Sequence, residues 1–351
     1  MRKRSLRKLI FPLINVLLAA LAAACAIAFF VSGNTLQSQK AARVWAGGSA
    51  MDFVQISCFL PVDAALDPGQ IDTFRSGLTG RLSELSLEAP EGGRLFCDAW
   101  STSAAAAVSD GTEDVRASVT AVGGDFFLFH PLKLISGSYF SDRDLMHDRV
   151  ILDRELAWRL FGGTDLAGLT VLVNGQPFVV AGVVENDSDR GTKAALSALP
   201  EIYLLYDALP GAEEAGITCY EIVVPEPVSG FGMEFVQGNL PVGDGVIVQN
   251  TGRYSVPSVF SLIRRFGTGS MQKTAAAYPY WENAARYYQD WCALYLALAV
   301  LLLLLPAASL CFCLVRALIR GKALLSAKLP ILAERGQKRA RSRRFPKSRL
   351  Q

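Results

Sequence analysis

Side chains able to do chemistry at neutral pH are scarce in this sequence. Only His130 and His147 carry imidazoles, and two isolated histidines make neither a zinc site nor a nucleophilic triad. His147, between Asp144 and Asp148, reads as part of an exposed loop. In "ENDSDRG" (185–191), Asp187, Asp189 and Gly191 follow one another at two-residue steps, as at the start of a calcium loop. The twelfth position is Ala198, where such a loop needs a bidentate glutamate, so the stretch reads as a solvated hairpin exit. No G-x-x-x-x-G-K-[ST] phosphate loop occurs. Cys25, Cys292, Cys311 and Cys313 lie in apolar stretches, where cysteine acts as a small hydrophobe. Cys58, Cys97 and Cys219 remain, an odd set without metal-ligand spacing. A Cys58–Cys97 bond and three buried free thiols in strands are both open readings. The chain therefore offers no catalytic, cofactor-binding or metal-binding residues, and we expect neither enzyme activity nor a cofactor.

The elements around these residues are nevertheless regular. "MDFVQISCFLPV" (51–62) reads as a strand. Asp67, Pro68 and Gln70 then form the start of a helix with a capping box, and Ile71, Phe74, Leu78, Leu82 and Leu85 give it one apolar face. Residues 94–100 and 115–122 read as strands separated by a mobile Ala/Ser/Asp/Gly loop. Val150 to Leu152 is a short strand, and Asp153 caps the helix in "ELAWRLFGGTDLAG" (155–168), which Gly162 ends in a left-handed turn. Asn174-Gly175 marks a hairpin. Residues 201–206, 219–224 and 245–250 read as strands, with a short helix in "SGFGMEFVQGNL". The expected fold class is an α+β domain of two lobes, in which strand–helix–strand units bracket an inserted hairpin-bearing lobe at about 138–200.

Two apolar stretches flank this domain. Residues 9–31 and 292–319 are each long enough to cross the roughly 30 Å hydrocarbon layer as a helix. The first is longer than the roughly 7–15-residue core of a cleaved signal peptide. Basic residues 1–8 precede the first stretch, and a basic tail, 320–351, follows the second. Residues 1–31 and 292–351 together carry +16, whereas Ser32 to Trp291 carries −13. Basic flanks stay in the cytoplasm, so we expect a two-pass protein of the bacterial cell membrane with both termini cytoplasmic and residues 32–279 outside. The tail has no aromatic platform beside it, which favours anionic lipid over nucleic acid as its partner. Residues 280–291 read as a stalk helix running into the second span, with Tyr287, Tyr288 and Trp291 as an aromatic belt at the outer boundary. Pro306 is a candidate hinge in that span.

Residues 119–184 carry an ordered set of landmarks: Gly124-Asp125-Phe126-Phe127, Gly137, Phe140, Leu160-Phe161-Gly162, Gly168, Gly175 and Gly182-Val183. This run resembles the extracytoplasmic core domain of MacB-type ABC transporter permeases. The resemblance implies a non-catalytic permease-like subunit that transmits movement between a cytosolic ABC-type ATPase and the exterior domain. It also implies an oligomeric assembly. Permeases of that family carry two more spans, and nothing after Ile319 is apolar enough for another crossing, so a half-permease needing a companion permease subunit, an accessory subunit and a truncated gene product are all open readings. The alternative is a two-span regulator of polysaccharide chain length or another membrane-anchored interaction protein. A chain-length regulator would be rich in long helices outside the membrane, whereas this exterior is rich in strands.

Overall fold

The computed structural model describes residues 2–89, 93–209, 215–263, 270–271 and 278–344, with residues 2–9 and 324–344 described by backbone alone. Two compact units emerge, one of residues 1–28 and 294–351 and one of residues 29–293. The first is helical. Helix α1 spans Arg2–Gly33, and the C-terminal helix, α9, spans Tyr280–Arg344 without a break at Pro306. Within them Ile10–Gly33 and Tyr280–Ala323 are long and apolar enough to cross a membrane, and the most apolar stretch of each is almost wholly exposed. Leu13, Val16, Leu301 and Leu304 are examples. Side chains of this kind are stable facing lipid, where a helix satisfies its own backbone. The tail continues as helix to Arg344.

The second unit is built on a ten-stranded sheet in the order β10-β1-β9-β2-β3-β8-β5-β7-β4. The strands are β1 (Phe53–Phe59), β2 (Cys97–Ser109), β3 (Asp114–Gly124), β4 (Lys133–Gly137), β5 (Arg149–Asp153), β6 (Thr170–Val173), β7 (Gln176–Glu185), β8 (Glu201–Leu205), β9 (Cys219–Pro225) and β10 (Val246–Gln249). Strand β6 lies off this path and pairs with both β7 and the tip of β2. Following the pairs β2-β3-β8-β5-β7-β6 returns to β2, so one end of the sheet closes on itself as a small barrel. The other end, β10-β1-β9 with the first half of β2, stays open. The two expected lobes are thus wings of one sheet that share the long β2–β3 hairpin. The inserted lobe cannot be confined to 138–200, because its wall includes β2, β3 and β8.

Ser101 to Ser109 is strand, not the mobile loop expected from its composition. Pairing runs without interruption from Ala99↔Gly124 to Ser109↔Asp114. Alanine and serine have weak strand preference alone, but every second residue here has a place: Ala106 and Val108 are buried, and the tip pairs with β6. The local signals held where they were strong. Asp67 accepts from Gln70 N at 2.9 Å while Gln70 Oε1 accepts from Asp67 N at 3.0 Å, capping α3 (Pro68–Glu84). Asn174 and Gly175 both take positive φ, 49° and 78°, as a two-residue hairpin between β6 and β7 requires.

Each face of the sheet has its own cover. On one face α3 places Ile71, Phe74, Leu78 and Leu82 over Ile56, Cys58, Tyr220 and Ile222, joined by Val236 of α7 (Phe231–Asn239). On the other face lie α2 (Ala41–Ala46), α4 (Phe126–Phe129) and the first turn of α9, with Phe126, Phe129 and Trp281 against Cys97, Tyr203 and Val223. Cys58, Cys97 and Cys219 are buried and free, so the second cysteine reading holds, and burial pushes all three thiols up.

Two sites in this fold give measurable consequences. Gly137 sits at φ +75° beside the β4–β7 irregularity, and a methyl there would overlap the Ala181 carbonyl. Gly137→Ala should lose about 2–4 kcal/mol in denaturant unfolding, from strain plus overlap. Asp153 caps α5 (Arg154–Phe161) and accepts from Glu201 N at 2.8 Å, which brings two buried carboxyls together. Burial, helped by Asp153, moves Glu201 from 4.5 to about 7. A carboxyl raised in this way binds its proton more tightly folded than unfolded. Its stabilisation is complete below the unfolded value and is lost as pH rises through about 7. Glu201→Gln should therefore stabilise the protein at pH 8 by on the order of 2–3 kcal/mol and change little at pH 4. Equal thermal shifts at both pH values would show a solvated carboxyl instead.

Candidate functional site at the root of the stalk helix

The face of the sheet that receives α9 carries polar residues at core positions. Along β1, Val54, Ile56 and Cys58 point into the α3 core, so Gln55 and Ser57 point the other way. On β9, Tyr220 and Ile222 do the same, which turns Glu221 to the side of Gln55 and Ser57. All three are nearly inaccessible. An unsatisfied polar group in such a place costs about 1–3 kcal/mol, and each of these is satisfied by another side chain or by a segment laid over this face.

Gln55 holds the segment that follows α1. Its Oε1 accepts from Ala41 N at 3.1 Å and its Nε2 donates to Ser38 O at 2.7 Å. Glu221 accepts from Ser57 Oγ at 2.6 Å and pairs with His130 Nε2 just after α4. Ser57 Oγ in turn accepts from Asn250 Nδ2 at 2.6 Å, and Asn250 Oδ1 accepts from Arg253 at 3.2 Å.

Arg253 leads directly to the stalk. Its two terminal nitrogens donate to the two oxygens of Glu282 at 2.7 and 2.8 Å, and one also reaches Gln289 at 2.9 Å. Arg286, one turn further along α9, donates to Glu282 at 2.8 Å and stacks over Tyr278 at 3.8 Å. The side chains of Glu282, Arg253 and Arg286 are only 1, 4 and 8 % exposed. Burial alone would lower the pKa of Arg253, but the adjacent Glu282 carboxylate outweighs it and the guanidinium is held more firmly protonated than usual. The chain of contacts is therefore continuous from His130 to Arg286, from the sheet into the second turn of α9.

A second tie lies on another side of the stalk. Tyr288 donates to Asp189 Oδ1 at 2.8 Å, and Asp189 also accepts from Thr192 N at 3.0 Å as the cap of α6 (Arg190–Ala195). The calcium-like spacing of 187–191 is thus a helix start that grips the stalk, not a solvated hairpin exit. Gly191 allows the contact, since a Cβ there would stand 2.6 Å from the Tyr288 ring. This corrects the expected aromatic belt: Tyr288 is buried against α6, whereas Trp291 is 38 % exposed. Of the histidines, His130 is buried and His147 is exposed, 3.9 Å from Asp207. Nothing in the sequence reading singled out Glu221, Arg253, Glu282 or Arg286. The available signals were a lone glutamate inside "CYEIVV" and the i,i+4 pair Glu282/Arg286 within an aromatic-rich run.

Removing one member of a buried ion cluster leaves its partners charged and uncompensated. Glu282→Gln should cost about 3–5 kcal/mol, read as a lowered denaturation midpoint. Asp63→Asn, at an exposed position, should stay near wild type.

Two curated relatives are Macrolide export ATP-binding/permease proteins MacB. That of Chromobacterium violaceum is 42% identical over 80 residues, 22% of this chain and 12% of that protein. That of Neisseria gonorrhoeae is 33% identical over 78 residues, again 22% and 12%. The match thus spans about an eighth of the length of these relatives. Among solved structures, the periplasmic region of MacB from Actinobacillus actinomycetemcomitans aligns at 17% identity and TM-score 0.40, covering 61% of this chain and 94% of that one. The extracellular domain of the noncanonic ABC-type transporter YknZ from Gram-positive bacteria aligns at 17% identity and TM-score 0.37, covering 54% and 92%. A family model for the MacB-like periplasmic core domain matches residues 13–227, more than half of the sequence, and the chain belongs to that family.

Proposed function

We propose that this protein is a non-catalytic permease-like subunit of an ABC transporter, and that it carries conformational change between a cytosolic ATPase and the extracytoplasmic domain. The observation that supports this most is the Arg253–Glu282–Arg286 cluster. It makes the first two turns of α9 part of the domain core, and the same helix continues unbroken through its apolar stretch. A displacement of that helix along its axis or about it has to move the sheet face that holds it. Gln55 gives the segment after α1 a comparable grip. Orientation with both termini in the cytosol follows from the basic flanks, which also favour anionic lipid. A companion permease subunit and an oligomeric assembly complete the reading.

Extraction in mild detergent should recover an ABC-type ATPase with the chain, together with a multi-span permease subunit. Recovery of the chain alone, as large rings, would favour a polysaccharide chain-length regulator. Within the recovered complex, replacing the whole cluster with apolar residues (Arg253→Met, Glu282→Leu, Arg286→Met) should leave the unfolding midpoint roughly unchanged or raised. The response of ATP hydrolysis to the exterior domain should nevertheless weaken. An unaltered response would remove the cluster from the coupling path.

A further inference from the structure

Three cavities of about 490, 490 and 530 Å³ share walls along the side of the domain that carries α2. The first begins at Phe29, Phe30 and Gly33, where α1 ends, and runs beneath Lys40 and Arg43. It shares Met51 and Phe53 with the second, whose wall adds Trp45. The second shares Arg94 and Leu95 with the third. The result is one elongated groove, each of whose three chambers is within the size range of small-molecule sites.

Charge divides the groove into two ends. At the far end Arg75 and Arg94 are taken up by Asp98 and Asp125, which leaves little net field. At the α1 end the balance is different. Arg43 is exposed, and among the described residues no ion pair joins it to a carboxylate; Lys40 Nζ donates only to the Asn34 carbonyl, at 2.7 Å. Asp52 is the only acid in that wall. Between the ends Trp45, Met51, Phe53 and Leu95 form the apolar part of a wall that also holds Ser49 and the oppositely charged Glu88 and Arg94. A cationic mouth beside the end of a membrane-type helix, followed by an apolar passage, matches a molecule with an anionic head and an alkyl chain.

We propose that this groove takes one acyl chain of an anionic lipid drawn from the surrounding membrane, with the headgroup held by Lys40 and Arg43 and the chain lying along Trp45, Met51 and Phe53. The inference rests on α1 lying in the membrane and is independent of coupling to an ATPase.

The test uses the full chain in phosphatidylcholine nanodiscs, with tryptophan fluorescence as the readout. Subtracting the signal of a Trp45→Phe variant isolates Trp45 from the other tryptophans. Phosphatidylglycerol with brominated acyl chains should quench Trp45 saturably, and phosphatidylcholine brominated in the same way should quench it little. The Lys40→Glu/Arg43→Glu pair should weaken the anionic quenching roughly tenfold or more. Absence of quenching at Trp45 would overturn the proposal. Equal quenching by both lipids, or quenching unaffected by the paired variant, would overturn it too, because random contact with the bilayer then accounts for the signal. Should the paired variant fail to fold, the comparison of the two lipids on the native chain still decides.

Discussion

A carboxylate placed where water cannot reach it sets the terms for the rest of this molecule. Glu282 is held by two guanidiniums, one from the turn after β10 and one from its own helix. None of the three could be buried alone, since an isolated charge in an apolar interior costs far more than folding supplies. Their burial thus requires the sheet, the turn around Arg253 and the first turns of α9 to be assembled together. Clusters of this kind contribute little net stability compared with well-packed hydrophobic residues. What this one supplies is a single geometry: the stalk can enter the domain at one height and one rotation. The contacts of Tyr288 with Asp189 and Gly191 fix the same rotation from another side.

The two faces of the sheet combine packing and polar bonding in different proportions. The α3 face is closed by aliphatic and aromatic packing, with the ring of Phe74 5.7 Å from Tyr220 and 5.4 Å from Phe235. Such contacts are non-directional, and a directional tie joins them where Arg75 of α3 grips buried Asp98, which also accepts from Tyr220. The α9 face mixes aromatic packing around His130 and Trp281, whose rings are 4.3 Å apart, with directional bonds from Gln55, Ser57 and Glu221. Directional bonds resist sliding because each must break before another forms.

Much of the fold was legible in the sequence wherever the determining interaction is local. The Asp67–Gln70 capping box, the left-handed Gly162 and the Asn174-Gly175 turn each involve neighbours in the chain, and each stands as expected. The length of β2 was not legible. Ser101 to Ser109 is a strand only because β3 and β6 are there to pair with it, and alanine alone does not announce that. The polar cluster was hidden for a similar reason. Alternation in "FVQIS" and "CYEIVV" suggests a wet face for Gln55, Ser57 and Glu221, whereas that face is covered by elements distant in sequence. Tyr288 was misplaced because an aromatic next to an apolar run carries the same pattern whether it meets lipid or a glycine such as Gly191.

The closure of β6 onto the tip of β2 reaches beyond the shape of the barrel. A sheet that ends in open air offers a row of unused amide and carbonyl groups to any passing chain. Here the circuit through β2, β3, β8, β5, β7 and β6 leaves the sheet path with two rims, β10 and β4. β10 is four residues long, and β4, of five, pairs out of step with its neighbour. Short and irregular borders are poor templates, so crowded copies of this domain resist zippering into fibrils through their backbones. Association with neighbours is left to side chains, whose shape and charge can be tuned one position at a time.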